Sequence, residues 1–456
     1  MSPQHHLTGL VLLLSSGLAV GADAPRFEIY ALKTAGGEFA LAEEVSNTGL
    51  VVGASEVGPG DYSTLGAVWD VDMSLTDLPG VPPLNRSTWG EAISRNGRWI
   101  VGLSQHPDIE TAWEQTPDGW VATPIVTGPG LGVMFANDIN DNGVVVGVVG
   151  GSNGGGAIWS VADGLILPRL STLDGDEVFR VGDFFDVSTD GRAVGVLTRV
   201  TDVARPDGSV ETIYTNQAAI YDIPTSTWTY LEPKPTGNSR WPGLNATRPV
   251  KVLPNGDIVG RFNRNDGPDR PAIWRYDPMT ETYSEAHEFA IDLSAPDGAP
   301  LPGLTLDSSM WDANRNGWIV GDIEHDLDGD FVNDLSGGFL LDSHSEVMYE
   351  MASLIADDEE RAHWSNVTPL GVNDRGWIVG TGARDGIDGV AFLMKPIVNC
   401  PADLAPPAGT LDFADVLAFL TGFVEGDIAS DMALPFGVLD FTDVVAFLTS
   451  LGAGCP

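Results

Sequence analysis

The chain repeats one short pattern seven times, and that repeat limits the folds open to it. Each copy is a polar turn with a glycine, followed by apolar, mostly β-branched residues and a second glycine, as in "DINDNGVVVG" at 138–147. Polar turn residues that run directly into such a stretch are typical of a β-hairpin, and Asn142-Gly143 is predicted to form its type I′ turn. The seven turn glycines are Gly49, Gly97, Gly143, Gly191, Gly256, Gly317 and Gly376.

A second, weaker element follows every hairpin in constant order. In "GAVWDV" at 66–71 and "PAIWRY" at 271–276, small residues precede an apolar residue and an aromatic one. We expect a strand whose small residues allow close backbone approach and whose ring fills a wedge between sheets. The first four turn glycines are 46 to 48 residues apart, a period typical of propeller blades, and insertions explain the wider spacings that follow.

The phase of the repeat predicts how the ring closes. The last copy ends at Met394 without a segment leading to another turn, whereas the chain begins with such a segment at 27–46. The N-terminal strand is therefore predicted to complete the seventh blade and to remove the exposed sheet edges of an open array. The predicted fold of 26–396 is an all-β seven-bladed β-propeller.

The repeat also resembles a known family. Ala391-Phe392-Leu393, the segment from Leu170 to Gly175, and the segment from Ile139 to Gly147 are similar to the motifs of the HAF family of extracellular repeats. The resemblance covers roughly 26–396. It implies an exported, propeller-like repeat protein and brings no catalytic residues with it.

Charge and the N-terminal segment indicate where the protein works. The chain has 64 acidic and 23 basic residues, a net charge of −41, which repels nucleic acids and anionic lipids and suits a saline habitat or calcium. Residues 7–20 form an apolar stretch of signal-peptide length, with cleavage predicted after Ala22. No later stretch is long enough to span a membrane. The sequence predicts a signal peptide at 1–22 and a secreted or cell-surface attached protein.

The only two cysteines, Cys400 and Cys455, bracket the C-terminal tail. In an exported protein this arrangement predicts a disulfide. Closing a loop of that length contributes on the order of 4 kcal/mol in the chain-entropy description.

The tail at 399–456 differs in style from the rest of the chain. Residues 403–423 align with 431–451, and each half reads as a loop followed by an amphipathic helix. This duplication, with the final Gly454-Cys455-Pro456, resembles the GC-type dockerin-like domains, which have two loop-helix modules. The resemblance implies a small α-helical domain that binds a cohesin-like or surface protein.

The same resemblance implies calcium as a cofactor of the tail. Its candidate ligands are Asp403, Asp412, Asp415, Asp431, Asp440 and Asp443. Ala and Pro stand at two intermediate ligand positions of each loop, and each loop is one residue longer than an EF-type loop. The alternative is helix capping, because Asp412 and Asp440 lie where an N-cap belongs, with a second aspartate three residues on. Both interpretations stay open.

A further acidic cluster lies in an insertion of the sixth repeat. Asp326, Asp328, Asp330 and Asp334 have the spacing of ligands 1, 3, 5 and 9 of an EF-type loop. The sequence predicts a calcium-stabilised loop there, with a solvated acidic turn as the alternative. Residues 346–362 are predicted to form a short helix whose Met351, Leu354 and Ile355 face the body.

No sequence motif identifies a reaction. Ser152 in "GGSNG" has the spacing of a nucleophile elbow but is followed by another strand, so a loop is expected. We expect a binding or scaffold protein that recognises an extracellular glycan or protein; the alternative is a carbohydrate-active hydrolase or lyase. An enzyme predicts converging carboxylates with perturbed pKa values in the channel, whereas a binding module predicts aromatics and amides without that cluster. A purely structural surface protein predicts neither.

Overall fold

Seven sheets built from consecutive segments of the chain form the body of the protein. The computed structural model describes residues 24–58, 61–82, 87–105, 108–150, 155–168, 178–204, 209–232, 244–264, 269–297, 299–302, 304–326, 335–397, 400–405 and 411–454. The strands of the first three blades, after β1 (Phe27–Ala31), are β2 (Ala40–Val45), β3 (Val51–Gly58), β4 (Asp61–Trp69), β5 (Leu75–Asp77), β6 (Ser87–Ile93), β7 (Trp99–Gln105), β8 (Ile109–Thr116), β9 (Gly119–Pro124), β10 (Met134–Ile139), β11 (Val145–Val149), β12 (Gly155–Ser160) and β13 (Gly164–Ile166).

The later blades contain longer strands and a few extra short ones. Blades four and five contain β14 (Val178–Val187), β15 (Arg192–Ala204), β16 (Val210–Asp222), β17 (Thr227–Tyr230), β18 (Leu244–Val252), β19 (Ile258–Arg264), β20 (Arg270–Trp274), the small hairpin β21 (Tyr276–Asp277) and β22 (Thr282–Tyr283), and β23 (His287–Glu288). Blades six and seven contain β24 (Leu293–Ser294), β25 (Leu304–Ala313), β26 (Trp318–Asp326), β27 (Leu335–Asp342), β28 (Val347–Glu350), β29 (Trp364–Val372), β30 (Ile378–Arg384) and β31 (Ile387–Pro396).

The N-terminal strand closes the ring. Strand β1 pairs antiparallel with β31, from Phe27 opposite Pro396 to Ala31 opposite Phe392, and so becomes the outer strand of the seventh blade. Each innermost strand contacts the innermost strand of the next blade, and β29 contacts β2. The all-β seven-bladed propeller is confirmed, and its closure follows the predicted order.

The repeated hairpin turn has a different geometry from the predicted one. Gly143 has a φ of 72°, whereas Asn142 does not have a positive φ, so the turn is not type I′. The Gly143 N–H donates to the Asn140 carbonyl at 2.9 Å, and Asn140 Oδ1 accepts from the N–H groups of Asn142 and Val144 at 3.0 Å each. These contacts describe a type I turn followed by a left-handed glycine, which the side chain of Asn140 braces. All seven predicted turn glycines have a positive φ.

The aromatic residue of the second element fills the wedge between blades, as predicted. Trp69, Trp113 and Trp274 are fully buried. Their indole N–H groups donate to the carbonyls of Lys33, Pro79 and Glu232 at 2.8, 2.7 and 2.6 Å. Each ring therefore packs in the core while its one polar atom is satisfied.

The helix predicted over 346–362 is wrong. Val347–Glu350 forms strand β28, which pairs with β27 and places Met348 opposite Leu341. A 3₁₀ turn (Ala352–Leu354) and a single helical turn, α1 (Asp358–Arg361), follow. Pairing along a full sheet edge outweighed the helical spacing of this short segment. Met351, Leu354 and Ile355 are buried, as expected.

The tail contains two helices, α2 (Phe413–Glu425) and α3 (Phe441–Ala453), with a 3₁₀ turn (Ile428–Ser430) between them. Phe419 and Phe447, which hold equivalent places in the duplicated halves, stack with ring centroids 4.2 Å apart. Both rings are buried, so they form the small core of the tail. Within the described residues, no helix is both long and apolar enough to cross a bilayer.

Candidate functional site

Each innermost strand of the propeller contains a β-bulge at the same place. In β10, for example, the pairing with β11 skips from Ala136 to Asp138 and leaves Asn137 without a partner in the ladder. A bulge of this kind turns the extra side chain away from its normal face. The seven unpaired residues, hereafter the bulge ring, are Glu43, Glu91, Asn137, Phe185, Val250, Trp311 and Leu370.

A glycine of the neighbouring strand makes each bulge possible. A Cβ added to Gly147 would lie 2.0 Å from the Phe135 carbonyl oxygen, so no larger residue fits without displacing the backbone. In the other six blades the corresponding distance is between 1.9 and 2.3 Å. This glycine is the last residue of the repeated sequence motif, so the motif encodes both the turn and the bulge. The seven glycines are Gly53, Gly102, Gly147, Gly195, Gly260, Gly321 and Gly380.

All seven bulge-ring residues line one cavity of about 570 Å³. The cavity lies at the end of the central channel where the innermost strands begin, hereafter the open end. Trp89 and Phe135, which precede the bulges, also line it. Phe135 is 58% exposed and Trp311 is 46% exposed, so both rings are available to a ligand in the cavity. A cavity of this volume is within the usual range of ligand sites, roughly 300–1,000 Å³.

Three glutamates with raised pKa values meet on one side of the open end. Burial, together with the negative charge of Glu91, raises the pKa of Glu110 from 4.5 to about 9. Burial, followed by the charge of Glu43, raises the pKa of Glu91 to about 7. Burial also raises the pKa of Glu43 to about 7, although the indole N–H of Trp89 donates to its Oε1 at 3.1 Å.

Glu91 and Glu110 share a proton in the wall of the cavity. The side chains of Glu91 and Glu110 hydrogen bond to each other, and Glu110 also accepts the Ala136 N–H at 3.1 Å. At neutral pH Glu110 is protonated and donates to Glu91, because two buried carboxylates in contact cannot both ionise at low cost. Glu43 and Glu91 titrate near neutrality, as groups that exchange protons with a ligand do.

Two arginines line the other side of the open end. The Arg248 guanidinium lies over the Phe185 ring, 4.0 Å from its centroid. Arg261 contacts Asp269 at 3.3 Å and donates to Ser309 at 3.0 Å. Burial, followed by repulsion from Arg261, lowers the pKa of Arg248, so the two cations are close neighbours.

Below the bulge ring, a buried ion cluster closes the channel. The Lys251 Nζ lies 3.0 Å from both Glu44 and Asp186 and 3.5 Å from Asp312. Desolvation opposes its charge, but these carboxylates outweigh that effect and raise the pKa of Lys251 well above its usual value. We call Lys251, Glu44, Asp138, Asp186 and Asp312 the plug.

The plug also joins the blades to each other. Glu44, Asp138, Asp186 and Asp312 occupy the same position in their blades, directly after the bulge. Each accepts a backbone N–H from the next motif along the chain. The donors are Ile93, Val187, Val252 and Val372, at 2.7 to 2.9 Å. Their carboxylates are therefore structural in the first place.

Beyond the plug, the channel narrows at the end formed by the seven hairpin turns, hereafter the turn end. The cavity there is only about 20 Å³. Arg95 extends from the second blade to Asp374 of the seventh, with a distance of 2.9 Å between their charged atoms. Asp374 also accepts from the Asn47 side chain and the Arg315 N–H, each at 2.9 Å. The turn end is closed by paired groups.

The tail packs on this closed end. Arg315 forms a short ion pair with Asp427, and Arg375 forms one with Asp431. The Arg375 guanidinium also donates to the Asp431 carbonyl at 2.6 Å and lies 3.8 Å from the centroid of the Phe436 ring. Both arginines belong to hairpin turns of the repeat. The tail therefore leaves the open end of the channel accessible.

The aspartates predicted to bind calcium in the tail cap and brace its helices. Asp412 and Asp440 are N-caps of α2 and α3 and accept from Ala414 and Thr442 at 2.6 Å each. Asp415 and Asp443 are fully buried, and each accepts three backbone N–H groups of its own module at 2.7 to 2.8 Å. Oxygens that face N–H donors are not arranged for a cation, so this geometry supports the capping alternative.

Two further predicted ligands lie at the first position of the two loops. Asp403 and Asp431 hold equivalent places, and Asp431 binds Arg375 and the Gly437 N–H. Among the residues that the structure describes, no three His, Cys, Asp or Glu side chains gather in an arrangement that suits a metal ion. Calcium in the tail stays a prediction.

Several other predicted features lie outside the described residues. Asp326 is the last residue of β26, whereas Asp328, Asp330 and Asp334 are not described. The signal peptide at 1–22 and Cys455 are likewise outside the described ranges. The acidic calcium loop and the disulfide between Cys400 and Cys455 stay predictions.

A second cavity of about 700 Å³ lies beside β1 and the segment that precedes β29. Two of its charged residues, Glu360 and Arg384, pair with each other at 2.9 Å. No cluster of interacting carboxyls comparable to Glu43, Glu91 and Glu110 lines its described walls. The open end of the channel is therefore the stronger candidate site.

The fold has counterparts among solved structures, although no family model matches the chain and no curated protein matches it in sequence. The β-propeller domain of the Trilobed protease from Pyrococcus furiosus is similar at a TM-score of 0.43 and 11% identity, over 79% of this chain and 98% of that one. An oligogalacturonate lyase from Vibrio parahaemolyticus is similar at 0.46 and 12%, over 82% and 97%. An ulvan lyase is similar at 0.38 and 11%, over 81% and 94%. These likenesses concern the fold alone.

Proposed function

We propose that the protein is an exported saccharide-binding propeller that holds its ligand at the open end of the channel and is attached elsewhere by its tail. The observation that carries this proposal is the composition of the open end. Exposed rings such as Phe135 and Trp311 lie beside charged and amide side chains in one cavity. A sugar ring has apolar C–H faces and a rim of hydroxyls, and a site of this kind complements both.

The test is direct binding of the full-length mature chain to an array of extracellular polysaccharides, followed by calorimetry. We expect Phe135→Ala with Trp311→Ala to weaken binding at least tenfold. Met279→Ala is the matched control, because Met279 is 90% exposed and does not line the cavity. Binding that survives the double substitution, or no saccharide binding at all, would contradict the proposal.

A second candidate function is a carbohydrate-active hydrolase or lyase with its site in the same cavity. The observation that favours it is the cluster of Glu43, Glu91 and Glu110, the feature expected of an enzyme, whose pKa values are raised to about 7, 7 and 9. Only Glu43 and Glu91 line the cavity, whereas Glu110 is buried behind them. Groups that titrate near neutrality are suited to general acid–base catalysis.

Turnover distinguishes the second candidate from binding alone. The polysaccharide that binds is incubated with the protein, and new reducing ends and unsaturated products are measured. If the cluster is catalytic, Glu91→Gln stops turnover and leaves binding in place. A polymer that binds tightly and stays intact supports the binding function.

For the tail, we propose docking to a cohesin-like or surface protein, with the Cys400–Cys455 disulfide bracketing the domain. Both helices expose an apolar stripe, and exposed stripes of this kind mark interaction surfaces. The stripe contains Phe413, Leu417, Leu420 and Val424 of α2 and Phe441, Val445 and Leu448 of α3, which are 48% to 85% exposed. Capture of a surface protein by the full chain, lost in Leu420→Glu, is the expected result. Loss of capture in the presence of a chelator would indicate that the tail needs calcium to bind its partner.

A further inference from the structure

Above the plug, whose Glu44, Asp138, Lys251 and Asp312 also line the cavity, the charges of the open end are divided between two sides. Glu43 and Glu91 belong to the first and second blades, whereas Arg248 and Arg261 belong to the fifth. In a ring of seven blades, the fifth lies across the channel from the first two. A ligand in this cavity therefore meets cationic groups on one side and carboxyl groups on the other.

The two arginines are only partly neutralised by the protein. Arg261 contacts Asp269, but Asp269 does not line the cavity. Arg248 forms no salt bridge with any described residue, and Asp183, the acid that most raises its pKa, lies outside the cavity lining. The chain has 64 acidic and 23 basic residues, yet no described acid of the cavity lining forms a salt bridge with either arginine.

Contact with the Phe185 ring holds Arg248 in place despite repulsion from Arg261. Its guanidinium lies over Phe185, 4.0 Å from the ring centroid, and Arg248 is an exposed residue that lines the cavity. A planar guanidinium held by an aromatic ring keeps its N–H groups free for an anion, and arginine binds carboxylate and sulfate groups through two such donors. The acids opposite are weak competitors, because burial raises the pKa values of Glu43 and Glu91 to about 7 and so disfavours their charged forms.

We propose that the ligand of the open end is an anionic saccharide whose carboxylate or sulfate group binds at Arg248 and Arg261. This inference rests on the proposed function, and it narrows the ligand to polymers that carry acidic substituents. The sugar ring then lies between the arginines and the carboxyl side of the cavity, in contact with the exposed aromatic rings. Repulsion from the net charge of −41 is limited at physiological salt, where the screening length is about 8 Å.

The experiment uses matched pairs of polymers that differ only in charge. Binding of the full-length mature chain is measured by calorimetry in 0.15 M salt, with polygalacturonate against its methyl ester and with dextran sulfate against dextran. We expect the charged member of at least one pair to bind at least tenfold more tightly than its neutral partner. A preference confined to the first pair identifies a carboxylate, and one confined to the second pair identifies a sulfate.

Variants assign that preference to the cavity. Arg248→Gln is expected to remove most of the difference within the pair, whereas Arg248→Lys retains part of it. Arg98→Gln is the control, because Arg98 is an exposed arginine at the turn end that pairs with Glu114. Equal binding of both members of each pair, or a preference that survives Arg248→Gln, would overturn the inference.

The outcome also separates this inference from the function on which it rests. Binding that depends on Phe135 and Trp311 but is indifferent to charge would leave the saccharide site standing and overturn the acidic ligand. If none of the four polymers binds and the wider polysaccharide array is also negative, both are overturned.

Discussion

The two ends of the channel are built by the same seven strands, but they differ in whether their charged groups are paired with other protein groups. At the turn end, Arg95, Arg315 and Arg375 are paired with Asp374, Asp427 and Asp431. At the open end, Arg248 has no salt bridge among the described residues, and Glu43 and Glu91 retain protons near neutral pH.

Within each repeat, one set of residues serves the stability of the ring and another set is available to bind a ligand. The charged groups of the turns and the plug have protein partners, and these contacts hold the blades together and seat the tail. The bulges instead direct unlike side chains into a cavity, where charges and rings lack full protein partners. Groups left in that state lower stability unless a ligand uses them. We therefore expect substitutions in the plug and at the turn end mainly to lower stability, and substitutions at the open end mainly to weaken ligand binding.

The largest expected effect is at the plug. Lys251→Met leaves Glu44, Asp186 and Asp312 without their cation in a buried site. Removing one partner of a buried ion cluster costs about 3–5 kcal/mol of unfolding free energy. The loss of unfolding free energy is measured by chemical denaturation. The control is Arg98→Met, which breaks the exposed pair with Glu114 and should cost about 0–1 kcal/mol. Equal effects in the two variants would show that the plug does not stabilise the ring.

A smaller effect is expected where the tail meets the turn end. Arg375→Ala removes its hydrogen bonds to Asp431 and its contact with the Phe436 ring. Charge-assisted hydrogen bonds contribute roughly 1.5–3 kcal/mol each, so the docked state of the tail should weaken by about that amount. Faster hydrogen exchange in α2 and α3, with saccharide binding unchanged, is the expected result. Unchanged exchange would indicate that these contacts do not hold the tail.

The shared proton at the open end should appear in the pH dependence of stability. Glu110 keeps its proton in the folded chain up to about pH 9, whereas it ionises near its usual value of 4.5 once unfolded. The folded state therefore holds the extra proton between these values, and stability falls as pH rises through that window by at most about 1.4 kcal/mol per pH unit. Glu110→Gln preserves both hydrogen bonds without a titrating group, so its unfolding free energy should vary less between pH 6 and pH 8. Parallel pH profiles would contradict the shared proton.

The smallest effect on stability is expected at the rim of the cavity. Phe135 is 58% exposed, so Phe135→Ala should change the unfolding free energy by no more than about 0.5 kcal/mol. The same substitution should weaken saccharide binding severalfold, because the ring is available to a ligand. A large loss of stability would show that Phe135 serves packing and would remove it from the proposed site.

The propeller could be predicted from the sequence because each repeat contains the residues that its own turn and its own wedge between blades require. The turn glycines have the positive φ that the turns require, and the aromatic residue of each repeat fills its wedge. The type I′ turn and the helix at 346–362 are wrong because Asn140 braces a longer loop and because β28 pairs along a sheet edge. Both errors concern contacts that a short window of sequence does not contain.

The candidate site was missed, although its signal was in the repeat. The glycine that ends each motif, such as Gly147, marks the bulge opposite it, but only the pairing register shows which residue is skipped. The bulge ring contains six different residue types at seven positions, and only glutamate occurs twice, at Glu43 and Glu91, so no repeated residue type marks it. Glu110 joins the site from the third strand of its blade, and no spacing in the sequence connects it to Glu91.

The most direct test of the difference between the two ends is a crystal structure of the full chain with an oligomer of the tightest-binding saccharide. We expect sugar in the 570 Å³ cavity, in contact with Phe135, Trp311 and Arg248, and none at the turn end. Sugar bound only at the turn end, on the tail or on the outer faces of the blades would contradict the account.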